Sequence, residues 1–239
     1  MNRALFAAAS GMAAQEANLD VVANNIACAD VPGFKAQVAT FGVAGGEAPL
    51  GTMPTGTHSV FAQGKLMKSG GPFDIAIDGP GLFVVERDGH RAYTRAGSFE
   101  RAADGSVRSE EGWKLVGVRI PADALRVAVA TDGRVTVARP HSAAASAGRV
   151  ALATFDAPEG LRAIGSAVFA ATVASGPPHA LAAGSDRGPK IAFGMLERSN
   201  VSIVEAMMQI LTAQRAYEAN AKGVQAADEM LRIANNLHR

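Results

Sequence analysis

Residues 203–234, IVEAMMQILTAQRAYEANAKGVQAADEMLRIA, place Ile203, Ala206, Ile210, Ala213, Tyr217, Asn220, Val224, Ala227, Leu231 and Ala234 at alternating steps of three and four. That spacing is a heptad-like stripe down one face of a helix. Ser199 or Asn200 can cap its start, and Ser202 with Glu205 forms a second capping pair. The helix runs for about 35 residues, roughly 50 Å, longer than an ordinary globular helix. Its alternation of large side chains with alanine calls for close helical neighbours.

The amino end repeats this pattern. Leu5, Ala8, Met12, Gln15, Leu19, Val22 and Ile26 keep the same alternation, interrupted only by the polar Gln15. The helix is expected to end between Ala27 and Asp30, because Pro32 and Gly33 follow and a proline pushes the preceding residue out of the helical region. Gly11 costs it about 1 kcal/mol relative to alanine, so this helix depends on partners. Asn24 and Asn25 are natural terminators that hydrogen-bond to nearby backbone.

Between the helices the period changes to two. IAIDGPGLFVVERDGHRAY, residues 75–93, holds short β-prone runs, with Asp88-Gly89 placed to turn a hairpin; Asp104-Gly105 and Asp132-Gly133 give the same signal. Antiparallel strands are expected over most of residues 72–175, followed by the Gly176-Pro177-Pro178 break and a last linking strand, KIAFGMLE. Residues 42–64 carry one charge, Glu47, among glycines and small residues and read as an extended connector; residues 141–148, HSAAASAG, read as a surface loop. The expected fold is α+β. Helical segments at 1–35 and 195–239 pair as a coiled coil, a connector spans 36–71, and a mostly antiparallel β domain spans 72–194.

Composition excludes several functions. Twenty-three basic against 22 acidic residues give no field for nucleic acid, and the 5% aromatic content offers no stacking platform. The single cysteine, Cys28, excludes an intrachain disulfide and reads as helix-end packing. No run approaches the 18 or so apolar residues of a membrane span. The start, MNRALFAAASGMAAQE, has a basic residue and an apolar run, but the run is short, alanine-rich and continuous with a patterned helix, which weighs against a cleaved leader.

No catalytic constellation emerges. His58, His90, His141, His179 and His238 lie at no ligand spacing, Asp74 and Asp78 read as strand and turn residues, and Gly79-Pro80-Gly81 is too short for a phosphate loop. Ser10 and Ser98 sit in no nucleophile elbow, and DRG at 186–188 is a turn. No enzyme activity, cofactor or metal is expected. Gln214, Arg215 and Glu218 crowd one part of the terminal helix, either as a solvated face or as polar contacts between subunits.

LDVVANNIACADVPGFK (19–35) and LERSNVSIVEAMMQILTAQRAYEANAK (196–222) resemble the two terminal signatures of the flagellar basal-body rod and hook family of axial proteins. FDIAIDGPGLFVVERDGHRAYTRAGSF (73–99) and IPADALRVAVATDGRVTV (120–137) are similar to the β domain of its distal-rod branch. Asn24, Asn25, Gly33, Phe34 and Lys35 match the first signature; Ser199, Asn200, Val201, Glu205, Gln214, Arg215, Tyr217, Glu218, Asn220 and Lys222 match the second. Cys28 stands where the family commonly has another asparagine.

The resemblance implies a structural subunit of a hollow axial shaft that transmits torque. Its terminal helices form an inner tube, with Leu5, Met12, Leu19, Val22, Ile26, Ile210, Val224 and Leu231 at helix interfaces. It further implies export through the flagellar type III apparatus without a cleaved signal, and partners that are copies of itself, other axial proteins and the surrounding ring bushing. Residues 42–64 are shorter than the matching segment of the distal-rod branch, as in the proximal-rod branch, while AFGMLERSNV and QRAYEANAK favour the distal one. A hook-like subunit or an independent surface binding module are the other readings.

Overall fold

A computed structural model describes residues 2–43, 51–140, 142–185 and 188–237. Part of the expected connector (44–50, with Glu47), His141, His238 and the Asp186-Arg187 turn lie outside the described residues. The chain divides into two compact units, one made of Met1–Ala27, Gln37–His58 and Val201–Arg239, the other of Cys28–Ala36 and Ser59–Asn200.

The first unit is built on two helices, α1 (Asn2–Ala27) and α2 (Ile203–Leu237). The three-four stripes explain their pairing: Ala14 and Val22 of α1 and Ala206, Ala213 and Ala227 of α2 are buried, with Ile210, Asn220, Val224 and Leu231 half-buried between them. A Cβ on Gly11 would stand 2.8 Å from Asn220 Nδ2, and one on Gly223 would stand 4.0 Å from Ala8 Cβ. Stepping back along α1 thus moves forward along α2, so the helices are antiparallel. On that register Asn2 is level with Glu229, and α2 continues from Met230 to Leu237 past the start of α1.

Ser202 caps α2, its hydroxyl accepting from Glu205 N at 3.4 Å. The stretch expected as a connector contributes the strands Gln37–Val43 and Thr52–Ser59, paired as a two-stranded sheet. Thr52 N donates to Ser10 Oγ of α1 at 3.1 Å.

In the second unit the described residues form a twelve-stranded sheet and two further strand pairs, with antiparallel pairing throughout. Its central strand, Leu82–Arg87, pairs with His90–Thr94 on one side and with Lys114–Arg119 and Leu152–Thr154 on the other. The unbroken apolar run LFVV follows from this position. Phe83 and Val85 enter a large core with Ile77, Trp113, Val137 and Ile191, while Leu82 and Val84 enter a second core with Tyr93, Phe155 and Phe169. A strand covered on both faces has no polar side to alternate with.

The three Asp-Gly pairs expected to turn hairpins do so, by two routes. Asp88 (φ 51°) and Gly89 (φ 78°) both take the left-handed conformation that a two-residue turn requires. At Asp104-Gly105 and Asp132-Gly133 only the glycine does, and the hydrogen bonds Gly105 N to Ala102 O (3.0 Å) and Gly133 N to Ala130 O (2.9 Å) close longer turns.

Two expectations are corrected. Ser142–Arg149 is not a loop but a strand, paired with Arg134–Arg139 and, through Gly148, with Val118. Its alanines and glycine fit because a Cβ on Gly148 would lie 2.0 Å from Gly117 O, closer than any side chain permits. KIAFGMLE is two strands, Lys190–Phe193 and Met195–Glu197, divided by Gly194 at φ 70° and paired with Ile75–Asp78 and Leu66–Lys68 respectively.

Phe83 is fully buried and meets Phe99 edge-on at 5.8 Å. Phe83→Ala is expected to destabilise the second unit by about 3–5 kcal/mol in urea unfolding. Val173→Ala, at a fully exposed position, is expected to leave the midpoint unchanged.

Candidate functional site

The turn Gly33-Phe34-Lys35 is held inside the second unit by the strand Met195–Glu197 and its flank. Gly33 has φ +72°, its N–H donates to Glu197 O at 2.8 Å, and a Cβ there would lie 2.2 Å from Ala96 N, so only glycine fits. That turn buries Phe34 and directs Lys35 inward. Lys35 Nζ donates to Glu197 Oε1 at 2.6 Å and to Ala62 O at 2.7 Å. From the other side Arg95 Nη1 donates to Glu197 Oε2 at 3.2 Å and to Ile77 O at 3.2 Å, and Arg95 Nη2 to Gly79 O at 2.7 Å. Gly64 N completes the carboxylate's partners, donating to Oε1 at 2.8 Å.

The side chains of Lys35 and Glu197 are 0% exposed, so two cations and one anion sit out of water. Three backbone carbonyls supply the negative ends that a second carboxylate would otherwise provide. Burial pulls Lys35 and Arg95 below their usual values, with Glu197 opposing the shift in both. Lys35 Nζ, both Glu197 oxygens and both Arg95 Nη atoms are engaged with protein, so the cluster holds backbone in place.

Asn200 extends the fastening. Its Oδ1 accepts from Ala36 N at 2.7 Å, and its Nδ2 donates to Val60 O at 2.8 Å and Ala62 O at 3.1 Å. Val60 N donates to Ala36 O at 2.8 Å, and an exposed pair joins Arg198 to Asp30 at 3.0 Å. The ends of both chain segments of this unit are thereby tied to one another.

In the first unit Asn25 exchanges two hydrogen bonds with the Gln37 backbone, at 2.7 and 2.8 Å. The start of α2 carries a second apolar stripe that faces outward. Val204, Met207, Met208 and Leu211 are 72%, 56%, 64% and 57% exposed and fall at i, i+3, i+4 and i+7. Beside it Gln15, Asn18, Ser202, Val204, Met208 and Ala213 line an open groove of about 450 Å³.

Three family profiles match the chain in order: "Flagella basal body rod protein" over residues 5–35, "Flagellar hook protein FlgE/F/G D1 domain" over 76–137, and "Flagellar basal body rod FlgEFG protein C-terminal" over 193–237. The flagellar basal-body rod protein FlgG of Borreliella burgdorferi is 36% identical over 264 residues, covering 100% of both chains. The FlgG of Agrobacterium fabrum is 36% identical over 98% of both. The FlgF of Caulobacter vibrioides is 32% identical over 98% of this chain and 97% of its own. The chain belongs to the flagellar basal-body rod protein family. It is a structural protein and not an enzyme.

In this rod protein the signature residues divide between two settings. Gly33, Phe34, Lys35 and Asn200 lie in or beside the buried cluster, with Ser199 half-buried next to it. Of the first-unit residues, Val22 and Asn25 are buried, and Leu5, Met12, Leu19, Ile26, Val201, Ile210, Asn220, Val224 and Leu231 are half-buried. Asn24, Glu205, Gln214, Arg215, Tyr217, Glu218 and Lys222 are exposed. Sequence reasoning missed Glu197 as the anion that Lys35 shares with Arg95, and it missed the outward stripe. The stripe was readable at helical spacing, whereas Arg95 and Glu197 lie 60 and 162 residues from Lys35 and leave no local pattern.

Removing the shared anion strands two buried cations. Glu197→Ala is expected to cost the rod protein about 3–5 kcal/mol in urea unfolding, whereas Arg198→Ala, at the exposed pair, is expected to leave the midpoint within error.

Proposed function

We propose that this chain is a distal-rod subunit, polymerising in the periplasm into the hollow shaft that carries torque from the motor to the hook. The carrying observation is the outward stripe Val204, Met207, Met208 and Leu211 on a helix whose opposite face is already occupied by α1. A helix apolar on two faces requires a second helical neighbour, and in an axial polymer other subunits supply it. A contact between one patch and a different patch repeats without closing, which is the geometry of a filament. Copies of this chain and other axial proteins are the partners on this reading, with export by the type III apparatus and contact with the ring bushing following from membership of the family.

A proximal-rod station is the second reading. The FlgG and FlgF of Caulobacter vibrioides are 35% and 32% identical to this chain, a narrow margin. FlgG proteins of several other bacteria, at 30–36% identity, favour the distal branch.

Cryo-tomography of basal bodies from cells lacking the gene tests the station. A rod that stops below the outer rings with no hook is expected, and a stub missing more than the distal segment points to the proximal station. A complete rod and hook would sink the proposal. Met208→Glu with Leu211→Glu is expected to give the same truncated rod while the purified chain keeps its β-sheet circular dichroism; normal rods from that variant would remove the stripe from the assembly surface.

A further inference from the structure

The charge of the second unit is unevenly spread. Residues 114–149 carry six basic side chains (Lys114, Arg119, Arg126, Arg134, Arg139 and Arg149) against Asp123 and Asp132, a net +4 where the whole chain has +1. Within this region Arg119 and Arg139 line a groove of about 610 Å³ whose floor is Gly117, Ser146, Ala147 and Gly148. That floor is flat because the two glycines mark a strand crossing too close for side chains.

Neither arginine is fully satisfied. Arg119 has one hydrogen bond, to Asp104 O at 3.2 Å. Arg139 Nε is the one buried side-chain polar atom without a hydrogen bond among the described residues; it forms a long, half-exposed ion pair with Asp123 at 3.6 Å, which leaves the rest of the guanidinium edge toward the groove. A planar carboxylate is the chemical complement of such a pair.

A carboxylate pair of that kind is exposed elsewhere on the same unit. The tight turn Ser109–Gly112, closed by Gly112 N to Ser109 O at 2.9 Å, presents Glu110 and Glu111, and neither forms an ion pair among the described residues. This turn leads into the strand Lys114–Arg119, at whose far end the groove lies, about 20 Å away along the strand. The acidic tip cannot reach the groove of its own chain.

The geometry points to a head-to-tail contact in which the Glu110-Glu111 turn of one copy docks between Arg119 and Arg139 of the next. Acid and base at opposite ends of one strand make a heterologous contact that repeats along a line. This inference rests on the reading of the chain as a subunit of an axial polymer. It adds a polar contact of the β unit, with a defined direction, to the apolar contacts of the helices.

The test is complementation of cells lacking the gene, with rods counted by cryo-tomography. Three full-length alleles are compared with the parent: Glu110→Lys with Glu111→Lys, Arg119→Glu with Arg139→Glu, and all four together. Each double reversal is expected to lower the number of complete rods by about tenfold or more, since like charges brought together are penalised beyond the loss of a pair. The quadruple variant is expected to restore it, which also shows that the reversed chains fold. If either double reversal assembles as the parent does, the contact is overturned and the rod assignment stands. Two impaired doubles without restoration overturn the pairing, because the two surfaces then meet other partners. If the deletion strain itself builds complete rods, the polymer reading fails and the contact with it.

Discussion

One buried carboxylate organises the second unit. Glu197 cannot sit out of water unpaired, and its two oxygens gather Lys35, Arg95 and the Gly64 amide from three separate stretches of chain. Hydrophobic side chains of similar volume would stabilise a fold as well as such a cluster. What an ion cluster adds is direction: the carboxylate fixes where the Gly33-Phe34-Lys35 turn and the strand Met195–Glu197 stand, and Asn200 fixes Ala36 and Val60 from there. The family's two terminal signatures therefore meet in this unit as parts of one fastening, although 162 residues separate Lys35 from Glu197.

The helical unit is packed differently, on small side chains: Ala14 of α1 and Ala206, Ala213 and Ala227 of α2 are buried. Its tightest glycine contact is at Gly11, where an added Cβ would press on the Asn220 amide, whereas Gly223 stands at ordinary contact distance from Ala8. The methionines and leucine on the outer side of α2 leave its second face adaptable, since methionine fills irregular spaces readily.

Much of this was legible because it repeats locally. The three-four alternation located both helices and most of their inner faces, and the Asp-Gly pairs located three hairpins in the β region. The strand Ser142–Arg149 escaped because its sequence, alanine, serine and glycine, carries no β preference; its neighbours impose the conformation. Gly194 escaped because a left-handed residue inside an apolar run looks like any other glycine until the two halves are seen to pair with different strands. The ion cluster escaped because charge pairing across long separations has no period. Lys35 was singled out through resemblance alone, and its burial gives that resemblance a physical cause.

The separation between Lys35 and Glu197 also sets an order of events. Contacts of such high sequence separation form late, after the loop they close has lost its entropy. Until Glu197 arrives Lys35 stays hydrated, so the unit locks only when nearly its whole length is free to fold.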